Sequence, residues 1–438
     1  MAKSRLFVGL VAVCGWGLAH AQGAVQQIEA HQHLGVASCA SGVCHGATQP
    51  FKDSNVWQNE YSVWSDSDPH AKAYQTLLSN DSKRIARNLG IPNAATATMC
   101  LDCHSDNAPG EKRGEKFLIT DGVGCEACHG GAEEWISSHT DYNVAHADNV
   151  SKGMYPTNEP VARAKLCLSC HMGTADRMIT HRIMGAGHPR LAFELDTFTW
   201  LNPHYEIDDD YVSRKGEFNG ARDWALGQGV AAGNLLDVLT NDRAGSQGIF
   251  PELVLFDCHA CHRVMSGKRW GPRPGTGLGP GVVRLNDANL VMFRHVLALV
   301  DPAGGERLAG QIRALHQATT NSRSATNQAA NELKRSLDAS LQKVAAYDFN
   351  EGSLGRILAS IQRDADRGEF RDFSAAEQAA MAAQSVIVAF DTAGKLDEAK
   401  AKRLTGLVDR VYATLEKEDN YQMTNFTGAL RNLTASAQ

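Results

Sequence analysis

The 438-residue chain has no strong excess of charge of either sign, with Lys+Arg 43 against Asp+Glu 49 and a net charge of −6. That balance argues against a nucleic-acid ligand or a polybasic membrane contact as the basis of function. Charged residues are only 21%, too few and too evenly mixed for a disordered chain. Alternating strand patterns of useful length are missing. Beyond the first 22 residues no apolar run approaches the roughly 20 residues needed to span a bilayer, so no integral membrane segment is expected. From Arg284 to Gln438 there is no cysteine, and the only histidines are His295 and His316. With 43% apolar residues, the length allows two or three domains of roughly 150 residues.

The N-terminus reads as a cleaved export signal. Lys3 and Arg5 form a basic start, Leu6 to Leu18 is a short apolar run, and Ala19-His20-Ala21 supplies a small-x-small cleavage site. The expected mature chain begins at Gln22, and its expected location is periplasmic or exported. Cleavage removes Cys14 and leaves ten cysteines.

Those ten form five close pairs: Cys39/Cys44, Cys100/Cys103, Cys125/Cys128, Cys167/Cys170 and Cys258/Cys261. A histidine follows each pair directly: His45, His104, His129, His171 and His262. C-x-x-C-H is the c-type haem attachment pattern. Two thiols add across the two porphyrin vinyl groups, and the adjoining imidazole then binds the iron as proximal ligand. About 0.01 copies would arise by chance at this chain's cysteine and histidine frequencies, yet four are present. The fifth, Cys39 to His45, has a four-residue spacer that must bulge outward to keep its sulfurs at vinyl spacing. Zinc or disulfides would explain paired cysteines but not a histidine fixed after every pair. The expected cofactors are five covalently attached haem c.

From Cys39 to His262 the chain offers about 45 residues per motif, so the haems must form much of the core there. Gly and Pro punctuation, as in Gly185, Gly187 and Pro189, fits a loop-rich wrap, with one helix expected at 221–239. Beyond residue 284, helical spacing predicts helices over 286–300, 304–319, 324–346, 353–365, 374–392 and 396–417. The stretch 273–280 reads as the crossing loop. The expected fold is mainly α, a loop-rich multihaem cytochrome c region over 22–283 followed by an all-α helical bundle over 284–438. Scaffolding or subunit contact, including a homo-oligomer formed through the bundle, is the expected role of that second region.

A haem used only for electron transfer takes a second axial ligand, and eleven further histidines of the mature chain could supply it. The distal candidates are His70, stiffened by Pro69; His139, shortly after the third motif; His181 and His188, which flank a run of small residues; and His295 on the first bundle helix. His146 and His204 rank below these, and His31 and His33 lower still. His259 lies inside the thioether loop of the fifth motif. Met172, Met184 and Met292 are thioether alternatives.

The first motif followed by Trp64 and Asp68-Pro69-His70-Ala71-Lys72-Ala73, the run Gly122-Val123-Gly124-Cys125-Glu126-Ala127-Cys128-His129-Gly130, and Cys167-Leu168-Ser169-Cys170-His171 with Gly187-His188-Pro189 carry a resemblance. Over roughly 39–262 the chain resembles the multihaem cytochrome c554 family of periplasmic cytochromes. The resemblance implies an electron carrier with closely stacked, mostly bis-His haems and redox partner proteins on either side. The family's namesake has four haems, against five motifs here, and the region beyond 284 has no part in the match. Two functional classes follow. One is a periplasmic pentahaem c-type cytochrome passing electrons through a haem relay. The other is an oxidoreductase acting on a small nitrogen or sulfur oxyanion at one five-coordinate haem, with Arg177, Arg182, Arg190 and His204 as candidate groups around it. The carrier is the better supported, and catalytic residues are not assigned. An intact mass of the mature protein should show five covalent haem additions, and four would mean that the Cys39–Cys44 loop does not carry one.

Overall fold

A computed structural model describes residues 31–50, 56–205, 209–215, 218–246, 248–262 and 271–437. The expected signal segment lies outside the described residues. Among them the chain is helical, with no strand and only two isolated bridges, His33 to Arg113 and Phe256 to Leu285. No described helix is long and apolar enough to cross a membrane. The fold is mainly α, as composition and periodicity suggest.

Ten longer helices organise the chain: α1 (Asn80–Leu89), α2 (Pro160–His171), α3 (Gly220–Thr240), α4 (Ala288–Val300), α5 (Pro302–Ala318), α6 (Arg323–Ala345), α7 (Glu351–Arg367), α8 (Phe373–Thr392), α9 (Glu398–Ala413) and α10 (Met423–Ala437). Several of their starts are set by side chains that accept otherwise orphaned amide protons. Asn219 caps α3 through Arg222 N, and Asp301 caps α5 through Gly304 N with Pro302 in the first turn. Ser322, Asn350 and Asp397 do the same for α6, α7 and α9. Gly368 closes α7 at φ +81°, a left-handed position that glycine fills without strain.

Helices α3 to α10 share one apolar core that includes Trp224, Leu236, Phe293, Leu337, Ile361 and Phe426. Helix α3 lies inside this core, packed on α4 and α6, and on its other side it meets α2, which carries the fourth cysteine motif. The helical core therefore begins well before residue 284. Helix α10 was not expected, because Thr424, Asn425, Thr427, Asn432 and Thr434 depress its helix propensity. Phe426, Leu430 and Leu433, spaced four and three apart, bury one face and overrule that preference.

The crossing loop is anchored by ions. Arg273, buried to 2% exposure, forks onto Asp287 and also reaches Asp372, which pairs with Arg284. His316 Nε2 completes the group at 2.9 Å from Asp287. Removing one member of such a buried network leaves an uncompensated charge, at a cost of about 3–5 kcal/mol.

Gly229 fixes how closely α3 approaches its neighbours, since a Cβ there would lie 2.6 Å from Leu341 Cδ2 and 2.7 Å from Phe293 Cε2. Gly229→Val should overpack this contact and destabilise the bundle by about 1–3 kcal/mol, read as a lower midpoint in chemical denaturation.

Candidate functional site

One turn of helix explains the cysteine motifs. Residues i, i+3 and i+4 project from the same side, so two thiols and an imidazole face one way. The second motif lies on the helix Thr98–His104, the third on Cys125–His129, the fourth at the end of α2, and the fifth on Cys258–Cys261 with His262 directly after. The first is not helical. Its four-residue spacer folds as successive turns, with Cys44 N donating to Ser41 O and His45 N to Cys39 O, and it pushes Val43 out to 78% exposure. All ten described cysteines are unbridged.

Each motif histidine faces a second imidazole. Ring centroids are 6.3 Å apart for His45 and His139, 6.5 Å for His104 and His188, and 6.5 Å for His129 and His204. They are 5.9 Å apart for His171 and His70, and 6.0 Å for His262 and His181. These gaps are too wide for ring contact and too regular for chance. Two imidazoles bound to one metal, each at about 2 Å from nitrogen to metal, place their ring centres about 6 Å apart.

The hydrogen bonds point the same way. His45 Nδ1 donates to Glu60 at 3.0 Å, His70 Nδ1 to Asp68 at 2.9 Å, and His104 Nδ1 to Ala73 O at 3.2 Å. His139 Nδ1 donates to Ile136 O at 2.6 Å and His188 Nδ1 to Pro189 O at 2.8 Å. In these five rings the acceptor holds the proton on Nδ1 and leaves Nε2 as the donor atom, the arrangement typical of metal-ligating histidine. The carboxylate hydrogen bonds raise the His45 and His70 pKa values against the opposing effect of burial. Burial, with the charges of His70 and His104, pushes His171 down to about 4, so its imidazole is neutral at pH 7. The donor set of paired thiols and opposed imidazoles fits covalently attached haem.

Remote segments are held at these places by specific contacts. Val123 N donates to His70 O at 3.0 Å, and Trp64 Nε1 donates to Val123 O at 3.1 Å. A Cβ on Gly122, at φ +76°, would lie 2.6 Å from His70 O, so only glycine allows this approach. Arg182 reaches Leu89 O and Asn88 reaches Ala186 O, both at 2.9 Å, which docks the His188 turn on α1. Glu252 accepts from His181 N at 3.0 Å near the fifth motif. Motifs also touch one another. Cys39 of the first lies beside Cys125 of the third, and Cys103 of the second beside Cys170 of the fourth, with Arg177 next to Cys170.

The structure brings His70, His139, His181 and His188 to motif histidines, but His295 goes elsewhere. It is buried in α4, with Nδ1 at 2.9 Å from Ser360 Oγ and Nε2 at 3.3 Å from Asp364, as a polar contact of the bundle core. The ring opposite His129 belongs to His204, which follows Pro203 as His70 follows Pro69. That Pro-His pair was the available sequence signal. His146 bonds Asn158 near the surface, His33 bonds Asp106 at 2.8 Å, and His259 turns to Glu418 and Phe373 of the bundle. Arg190 makes a two-pronged bond to Glu377 of α8, both prongs 3.0 Å.

Paired cysteines, a histidine after each pair and a second imidazole opposite it define a c-type cytochrome. Residues 38–130 match the family "Cytochrome c554 and c-prime". Over that segment the chain is similar to the cytochrome c554 family. It is also similar to cytochrome c-554 of Nitrosomonas europaea, 28% identical over 148 residues, which is 30% of this chain and 62% of that relative. The chain thus matches less than two thirds of the relative's length, and no solved structure matches it significantly.

Glu126, inside the third motif, accepts from the amides of Leu34 and Gly35 at 2.7 Å and of Ala132 at 2.8 Å, tying the segment before the first motif to the third. Glu126→Ala strands three amides at about 1–3 kcal/mol for each that stays unsatisfied. A marked gain in protease sensitivity around residues 34–39 is the expected outcome.

Proposed function

We propose that the protein is a periplasmic pentahaem c-type cytochrome that transfers electrons between redox partner proteins. The observation that carries this is the set of five opposed imidazole pairs, one for every cysteine motif. Haem c supplies a one-electron iron couple when bound. The chain's residues do the rest. Cys39, Cys44, Cys100, Cys103, Cys125, Cys128, Cys167, Cys170, Cys258 and Cys261 attach the macrocycles. His45, His104, His129, His171 and His262 ligate on one side. His139, His188, His204, His70 and His181 ligate on the other, in that order. Two strong ligands per iron favour a small change in geometry on reduction, which suits a carrier.

Contacts between the first and third motifs, and between the second and fourth, support close spacing within a relay. Functionally, 22–283 is the haem-bearing part, and 284–438, joined by α3, is the scaffold that can also mediate homo-oligomer contact. Export by the segment 1–21 places the chain in the periplasm.

The ligand assignment is tested by two variants. His204→Ala should convert one low-spin haem to high-spin and open it to carbon monoxide. His295→Ala should leave the low-spin count unchanged and lower the denaturation midpoint of the bundle. The reverse pattern would restore His295 as the ligand. A high-spin ferric haem in the unaltered protein that binds nitrite would favour the oxidoreductase reading.

A further inference from the structure

Asp68 does more than begin a turn. It is buried at 4% exposure, and its Oδ1 accepts from both the amide and the Nδ1 of His70, each at 2.9 Å. Its other oxygen lies 4.0 Å from Nδ1 of His204. His70 faces His171 of the fourth motif, and His204 faces His129 of the third. One carboxylate therefore stands at the outer nitrogens of two imidazoles that serve different motifs. In His104, His139 and His188 the outer nitrogen meets a neutral carbonyl instead. His45 has a carboxylate of its own in Glu60.

We infer that Asp68 is a shared tuning residue that biases the reduction equilibria of the third- and fourth-motif haems together. This rests on the ligand assignment above. A carboxylate that accepts the Nδ1 proton makes the imidazole a stronger donor and favours the more oxidised metal. Its negative charge, in a buried setting of reduced dielectric, acts in the same direction on both sites. The turn itself needs only a neutral acceptor for His70 N, which Asn or Ser provides as well. The charge is what the second imidazole feels.

The test is a spectroelectrochemical titration of the full-length haem-loaded protein, with low-spin haems counted by electron paramagnetic resonance. Asp68→Asn should keep the low-spin count and move two of the five one-electron components upward. The larger shift should be about tenfold in the reduction equilibrium, ~59 mV for one electron. Glu60→Gln should move chiefly the first-motif component, through His45, and leave the fourth-motif component in place, since Glu60 reaches His45 directly and His204 only by its charge. Asp68→Glu, which keeps the charge, should leave both components near their original positions. If Asp68→Asn gives no holoprotein, Asp68→Ser is measured in its place with the same expectation. Unchanged potentials at an intact low-spin count, or movement of one component only, would overturn the shared role. Conversion of a haem to high-spin in the neutral variants would reduce Asp68 to a positional support. Fewer than five low-spin haems in the unaltered protein would defeat the ligand assignment itself, independently of Asp68.

Discussion

Much of the described chain up to residue 262 is organised around one arrangement, five pairs of imidazoles held about 6 Å apart. A side chain alone cannot meet it, since each ring rotates about two bonds. Nδ1 must be fixed from behind, and the segment bearing each ring must be docked on something rigid. Glu60, Asp68 and the carbonyls of Ala73, Ile136 and Pro189 do the first. Gly122, Trp64, Arg182, Asn88 and Glu252 do the second. Few of these residues need be apolar. This explains how a region with small hydrophobic clusters of its own can still have a defined architecture.

The second region works by the opposite means. Helices α3 to α10 bury a continuous apolar core, and its buried charges meet in a network of Arg273 with Asp287 and Asp372. The two regions are not separate bodies. Helix α3 runs between α2 and the bundle, Arg190 grips Glu377, and His259 of the fifth motif rests on Phe373 and Glu418. The fifth motif is thus seated against the bundle.

Most of the helices were legible in the sequence because an amphipathic stripe is a local signal. Helix α6 was expected over 324–346 and spans Arg323–Ala345, and the helix expected over 221–239 spans Gly220–Thr240. What periodicity could not convey is which body a helix joins, so α3 read as part of the cysteine-bearing region. The motif histidines were equally plain, being fixed by spacing. Their opposing rings were harder, because they come from remote segments and are brought together only by tertiary contacts. His295 was attractive as a histidine on an apolar helix, yet Ser360 and Asp364 satisfy it within the core. His204 was ranked low although Pro203 marks it as Pro69 marks His70. Glu60 and Asp68 went unread as partners, since a carboxylate two or fifteen residues from a histidine carries no sequence signature.

The order in which the rings meet has a consequence in time. His45 waits for His139, His70 for His171, His104 for His188, His129 for His204, and His181 for His262. Each pairing closes a long loop of chain, and neighbouring loops overlap rather than follow one another. Closing long, interlaced loops is entropically slow compared with forming local helices. A folding chain therefore holds several incomplete pairs at once, and the set is complete only when the segment reaching His262 is in place.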